Sequence, residues 1–206
     1  MFQYKDQRVG VFIDVQNMYY SARNIHQRKV NFANIVDEGV GDRKLIRAIA
    51  YVVTTKTGEE TPFLDALRKK GIETKEKELL EYFSGQKKAD WDVGITVDII
   101  RMLDMLDVVV LVSGDGDYIP LVHFCQSRGR QVEVISFRES TSSKLVEAAD
   151  LHVDMSKNRR KFLIGGGPRG AREDQEETGT EGVFEPAQQE DEVEKIEDRR
   201  GRKMSF

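Results

Sequence analysis

The stretch DVVVLVSGDGDYIPL, from Asp107 to Leu121, restricts the possible fold more than any other part of the chain. Val108 to Val112 is an unbroken run of β-branched and aliphatic residues, as expected of a strand covered on both faces. It stops at Ser113-Gly114, and two aspartates one residue apart, Asp115 and Asp117, follow. Gly114 and Gly116 are expected to permit a tight turn. Tyr118, Ile119, Leu121, Val122 and Phe124 then start a helical apolar pattern, with Pro120 in the first turn, where its missing N–H costs no bond. The stretch reads as strand, carboxylate-bearing loop, helix.

The same layout occurs near the start. Val9, Val11, Phe12 and Ile13 make a short apolar strand, and Asp14 and Asn17 stand where a helix would begin. Further along, residues 31–38 carry a helical pattern, and Lys44 to Val53 is strand-like. Thr61-Pro62 looks like an N-cap and first turn, closed by Gly71, and Ile72 to Leu79 reads as a polar edge strand. A loop with Gly85 leads into a helix from about Asp90 to Asp104. Beyond the organising segment, Gln131 to Phe137 is a strand, Ser142 to Ala149 a helix and Leu151 to Met155 a last strand. Strands alternating with helices at this spacing form βαβ units, so the expected fold is a three-layer α/β sandwich around a mainly parallel sheet. In such sheets the ligand site lies beyond the carboxyl ends of the strands, where strand order reverses. If the two aspartate-tipped strands are neighbours there, Asp14, Asp115 and Asp117 come together.

The helix after Lys88 adds a third acidic element. At 100° per residue, Val93, Ile95, Val97, Ile99, Ile100, Met102 and Leu103 fall on one broad arc, and Asp92 falls in its middle. An inward carboxylate costs several kcal/mol unless it is paired, hydrogen-bonded or on a metal. The plainer reading is a first-turn acid favoured by the helix dipole. Asp98 fits a solvated face better. Carboxylates gathered in one cleft repel unless a hard cation neutralises them, and oxygen-only ligands suit Mg²⁺ or Mn²⁺. A site of that kind can orient a water and polarise a phosphodiester without a His or Ser nucleophile.

The segments VFIDVQN, KKADWDVGITVD and VLVSGDGDYIPL, in this order, resemble the three signature segments of NYN domains, particularly the LabA-like group of the PIN-like nuclease superfamily. The similarity covers roughly Val9 to Met155. It implies a Rossmann-like, PIN-like sheet and a metal-dependent ribonuclease acting on single-stranded or structured RNA. Asp14, Asp92, Asp115 and Asp117 match the family's acidic positions, with Asn17, Ser113 and Asp98 as supporting positions. A fold of this kind serves more than one function. The alternative is therefore a non-catalytic RNA- or nucleotide-binding module that keeps the acidic pocket. A different D-x-D enzyme is a third class, but the asparagine at 17 and the short chain argue against its main forms.

Net charge bounds the partners. At −4 over 206 residues, with 33% charged residues, the chain has no broad basic surface, so a nucleic-acid partner needs a local basic patch or bridging metal ions. Lys87 and Lys88, just before Asp92, are candidate phosphate contacts, as are Arg23 and Arg138 after strand–helix junctions. Trp91 either stacks on a base or seals the start of its helix. His26, His123 and His152 are scattered, and with the single Cys125 they make no zinc site. One cysteine also excludes a disulfide framework, and with no signal peptide or membrane span in view the expected location is the cytoplasm. There is no P-loop, no G-x-G-x-x-G placed after an expected strand, and no G-x-S-x-G motif. The chain therefore divides into an NYN/PIN-like domain, 1–156, and a charged segment, 157–206. The latter has six Lys/Arg and no acid up to Arg172, then twelve acids and one lysine from Glu173 to Asp198. With few apolar residues it is expected to be a disordered tail, a place for a protein partner or a second copy.

Overall fold

Alternation along the first strand sets the layering. In the computed structural model, which describes residues 4–55, 58–81, 87–88 and 90–165, Val9, Val11 and Ile13 point to one face of a sheet and Phe12 to the other. The elements in order are β1 (Arg8–Asp14), α1 (Val15–His26), β2 (Lys29–Val30), α2 (Phe32–Val40), β3 (Lys44–Thr54), α3 (Thr61–Lys69), β4 (Glu73–Glu78), β5 (Leu80–Glu81), β6 (Lys87–Lys88), α4 (Asp92–Met102), β7 (Val108–Val112), α5 (Ile119–Ser127), β8 (Gln131–Ser136), α6 (Ser143–Ala148), β9 (Leu151–Asp154), α7 (Arg159–Phe162) and β10 (Leu163–Ile164). Six strands form one parallel sheet in the order β4-β3-β1-β7-β8-β9. The chain moves outward one way through β3 and β4 and the other way through β7, β8 and β9, so the order reverses between β1 and β7. Those two strands are hydrogen-bonded neighbours, with Ile13 opposite Val112. The two short pairs, β2 with β10 and β5 with β6, are antiparallel.

Each face of the sheet carries its own core. On one, Val108, Val110 and Val112 join Ala48, Ala50 and Val52 under Met18 and Ala22 of α1, Ile35 of α2 and Leu64 and Leu67 of α3. On the other, Val109 and Leu111 join Ile49 and Tyr51 under Ile95, Ile99 and Met102 of α4, with Leu121, Val122 and the buried Cys125 of α5. Full burial of each such aliphatic side chain contributes about 1.5–3 kcal/mol, which is why a strand as apolar as β7 belongs in the centre. Among the described residues no helix is long and apolar enough to cross a membrane.

Several details depart from the sequence expectations. The apolar arc on α4 is narrower than its composition suggests: Ile95, Ile99 and Met102 are buried, but Val93 is 73% exposed, and Val97 and Ile100 are also exposed. A single sheet face covers only one stripe of a helix, so the second apolar row faces outward. Thr61 is the first helical residue of α3 and not its cap, which is Glu60, whose buried carboxylate accepts from Thr55 N and Oγ1 instead. The tight turn expected at Gly114 and Gly116 forms over Gly116–Tyr118, without a positive φ at either glycine. A Cβ on Gly114 would lie 2.8 Å from the carbonyl oxygen of Ser140, and one on Gly116 would lie 3.0 Å from Ser142 Oγ, so both glycines let the acidic loop pack against the β8–α6 loop. Finally, packed structure runs past the expected boundary at 156: Phe162 of α7 is 2% exposed and β10 pairs with β2. The remainder of the expected tail, 166–206, lies outside the described residues.

Candidate functional site

Asp14 ends β1 and caps α1, its Oδ1 accepting from Asn17 N at 3.0 Å. Across the strand-order reversal, Ser113 follows β7 and is fully buried, its hydroxyl 3.5 Å from Asp14 Oδ2 while accepting from Asp115 N at 3.2 Å. Asn17 ties the two strand ends together, because its side-chain oxygen also takes the N–H of Gly114 at 2.9 Å. Asp115 in turn accepts from Asp117 N at 2.9 Å and caps the short turn Gly116–Tyr118. Asp92, the first residue of α4, is fixed by Tyr118, whose buried phenol donates to its Oδ1 at 2.9 Å. Both aspartate-tipped strands and the start of α4 thus deliver carboxylates to one cleft of about 280 Å³, lined by Asp14, Asp90, Asp92 and Asp115 with Trp91 and the α1 residues Gln16, Asn17, Tyr20, Ser21 and Asn24.

The electrostatics are one-sided. Burial pushes the Asp14 carboxyl up, the charges of Asp92 and Asp115 push it further, and the Asn17 N–H and the Ser113 hydroxyl hold it back, leaving it at about 7. Burial likewise raises Asp92; the Tyr118 hydrogen bond opposes this, and Asp115, Asp90 and Asp117 add to it. The charges acting on both groups are those of other aspartates. Burial raises the Tyr118 phenol far above its ordinary value, which keeps it a donor to Asp92. Among the described residues no group of three or more His, Cys, Asp or Glu side chains is arranged to hold a metal ion. The donor chemistry nevertheless fits a hard cation: the oxygens are acidic and uncompensated, and Mg²⁺ keeps several waters and takes only one or two carboxylates directly.

The other sequence candidates separate. Asp117 is exposed beside Asp92 and does not line the cleft. Asp98 lies outside it and is not solvated either. Its Oδ2 accepts from Lys75 Nζ at 2.6 Å and from Tyr51 Oη at 2.9 Å. Burial alone would raise its pKa, but these two bonds hold it below the usual range. Arg23 bonds Tyr19 Oη and stays exposed, and the Arg138 guanidinium turns to Thr141 O. The side chains of Lys87 and Lys88 lie outside the described residues. The histidines stand apart: His26 packs edge-on against Phe137, His152 bonds Ser136 Oγ, and His123 is exposed. Trp91 seals the start of its helix. Its Nε1 donates to Val52 O at 3.0 Å and its ring lies across Gly94, where a Cβ would approach to 2.5 Å, yet the residue still lines the cleft.

Of the wall formed by α1, sequence reasoning finds only Asn17. Asn17, Tyr20, Ser21 and Asn24 recur at helical spacing and form a polar stripe facing the cleft, a signal that was present beside the aspartates. Gln16 adds a side-chain nitrogen that is buried without a hydrogen-bond partner. In the sequence Tyr118 reads only as part of the apolar pattern, because its bond to Asp92 depends on tertiary packing.

Comparison with known proteins agrees with this architecture. A crystal structure of a protein of unknown function from Vibrio parahaemolyticus RIMD 2210633 superposes with a TM-score of 0.71 at 31% identity, covering 80% of this chain and all of that one. "Low amplitude and bright protein LabA" of Synechococcus elongatus (strain ATCC 33912 / PCC 7942 / FACHB-805) is 25% identical over 172 residues, 78% of this chain and 89% of that protein. The NYN domain family model matches residues 8–156, which take in all six strands of the main sheet and the acidic cleft, and the chain belongs to the NYN domain family.

Proposed function

We propose that the cleft is the active site of a divalent-metal-dependent ribonuclease, with Asp14, Asp92 and Asp115 holding Mg²⁺ or Mn²⁺ either directly or through its bound waters and Asp117 contributing from the rim. One observation carries the reading: carboxylates converge at the strand-order reversal, and the charges acting on Asp14 and Asp92 are those of other aspartates. Membership of a family within a nuclease superfamily supports it. When bound, such an ion supplies an activated water and neutralises charge on the phosphodiester. The protein's own groups prepare that chemistry. Asn17 clamps the Asp14 and Gly114 ends together, Tyr118 fixes one oxygen of Asp92, and Ser113 spans Asp14 and Asp115. The unpartnered Gln16 nitrogen is a donor for a substrate oxygen, and Trp91 offers an aromatic surface at the cleft wall.

The test is cleavage of single-stranded and structured RNA with Mg²⁺, Mn²⁺ or EDTA. Cleavage should require the metal, and Asp14→Asn should reduce it by roughly 10³-fold, the scale of losing a principal electrostatic group. Metal binding without cleavage of any RNA would point instead to a non-catalytic RNA- or nucleotide-binding module.

A further inference from the structure

The cations of the segment 157–161 belong to the folded domain, and they stand one loop away from the acidic cleft. The connection runs through direct contacts. Ser21, on the cleft wall, accepts from Ser140 Oγ at 2.8 Å. The neighbouring Glu139 accepts from Ser156 Oγ and pairs with Arg159 at 3.6 Å. On the same edge, Arg138 N bonds Asp154 at the end of β9, and Arg28, just past α1, spends its guanidinium on the carbonyl oxygens of Leu163 and Gly165. Lys157, Arg159 and Arg160 are exposed, and Lys157 and Arg160 have no carboxylate partner among the described residues.

The carboxylates in this region are few. Glu139 and Glu38 answer Arg159 and Lys161, and Asp154 is occupied by backbone N–H groups of Arg138 and Ser156. The two nearby histidines sense the surplus. Burial lowers the pKa of His26 and the charges of Arg159 and Arg28 lower it further, against Glu139. His152 is lowered by burial and then by Arg138 and Lys157, against Asp154. The positive field therefore covers the ends of β8 and β9, on the same carboxyl edge of the sheet as the cleft.

We infer that Lys157, Arg159 and Arg160, with Arg138 and Arg28 behind them, form a track for the phosphate backbone of RNA whose strand continues from the acidic cleft across the Arg138–Ser140 turn. The inference rests on the ribonuclease reading for the identity of the polyanion. Acids that need a metal at the scissile phosphate repel the rest of the strand, and a chain with a net charge of −4 must place its attraction elsewhere. The track does so within a loop's width of the cleft. It confers affinity without reading sequence, because phosphate contacts position and base contacts specify.

The experiment uses the full chain in EDTA, where cleavage is silent, with binding of a fluorescein-labelled single-stranded oligouridylate followed by anisotropy across a salt series. Lys157→Ala/Arg160→Ala removes two exposed cations, and Lys69→Ala/Lys70→Ala at the end of α3 is the control. The track requires the first pair to weaken binding about tenfold and to flatten the log–log salt slope by about 1.4, from about 0.7 per phosphate contact on a single strand. The control pair should change neither quantity. Unchanged affinity and slope in the first pair would overturn the track, as would an equal loss in the control. So would a wild type that does not bind without metal. Each of these leaves the cleft to be judged separately by metal-dependent cleavage.

Discussion

The two ends of the central sheet handle their acids in opposite ways. At the amino end Asp107, Glu133 and Glu73 each have a cation. Asp107, just before β7, receives Arg8 through its backbone N at 2.8 Å and its guanidinium at 3.0 and 2.8 Å, and chiefly for that reason its carboxyl is lowered to about 2. Glu133 lies in a pair with Arg43 at 2.7 and 2.8 Å, both side chains only 2% exposed, and Glu73 is held by Arg47. At the carboxyl end the only charges acting on Asp14 and Asp92 are those of other aspartates, and Asp14 rises to about 7, chiefly through burial. The same strands carry both arrangements. Pairing at one end serves the fold, and the repulsion left at the other is what a bound cation would relieve. Helix α4 repeats the contrast within six residues: Asp98 is matched by Lys75, whereas Asp92 has a phenol and other acids.

The largest effect that should separate the two ends is on stability. Arg43→Met strands a buried Glu133 and should cost about 3–5 kcal/mol, visible as a fall in the urea midpoint. Asp14→Asn should leave the metal-free protein as stable as the wild type or more so, since it removes one of several crowded like charges. If Asp14→Asn costs as much as Arg43→Met, the carboxyl-end acids are structural and the contrast fails.

Their pH dependence should differ in sign. Asp14 holds its proton more tightly when folded, so the metal-free protein should lose stability as pH rises from about 4 to about 7. Asp107 holds its proton less tightly when folded, so its contribution is complete above about 4 and is lost as pH falls toward about 2. Urea midpoints across this range should show Asp14→Asn removing the upper slope and Asp107→Asn the lower. A single variant that altered both slopes would show that the ends are coupled.

Much of the fold is legible in the sequence because burial on both faces leaves a plain mark: β7 is all valine and leucine, and β1 ends where its apolar run meets Asp14. The convergence of Asp14 and Asp115 also follows, since two strands of the same design on either side of a reversal must deliver their tips together. What escapes depends on partners far away along the chain. Nothing near Asp98 announces Lys75, which reaches it from β4, and the outward row Val93, Val97 and Ile100 looks as apolar as the inward one. The two-residue strands β2 and β10 exist through each other, and Phe162 is buried though it follows a basic run that by itself reads as solvated tail. The polar stripe of α1 was available in the spacing but is overshadowed by the aspartates beside it.

The most direct measurement of the contrast is a ¹³C NMR titration of the Asp14 and Asp107 carboxyl groups, without metal and with saturating Mg²⁺. Without metal Asp14 should titrate near 7 and Asp107 near 2. Mg²⁺ should drive Asp14 below the ordinary carboxylate range, because the ion takes the place of its proton, and should leave Asp107 unmoved. An Asp14 that titrates near the ordinary value of about 4 and ignores the metal would contradict the reading of the cleft as an uncompensated cation site.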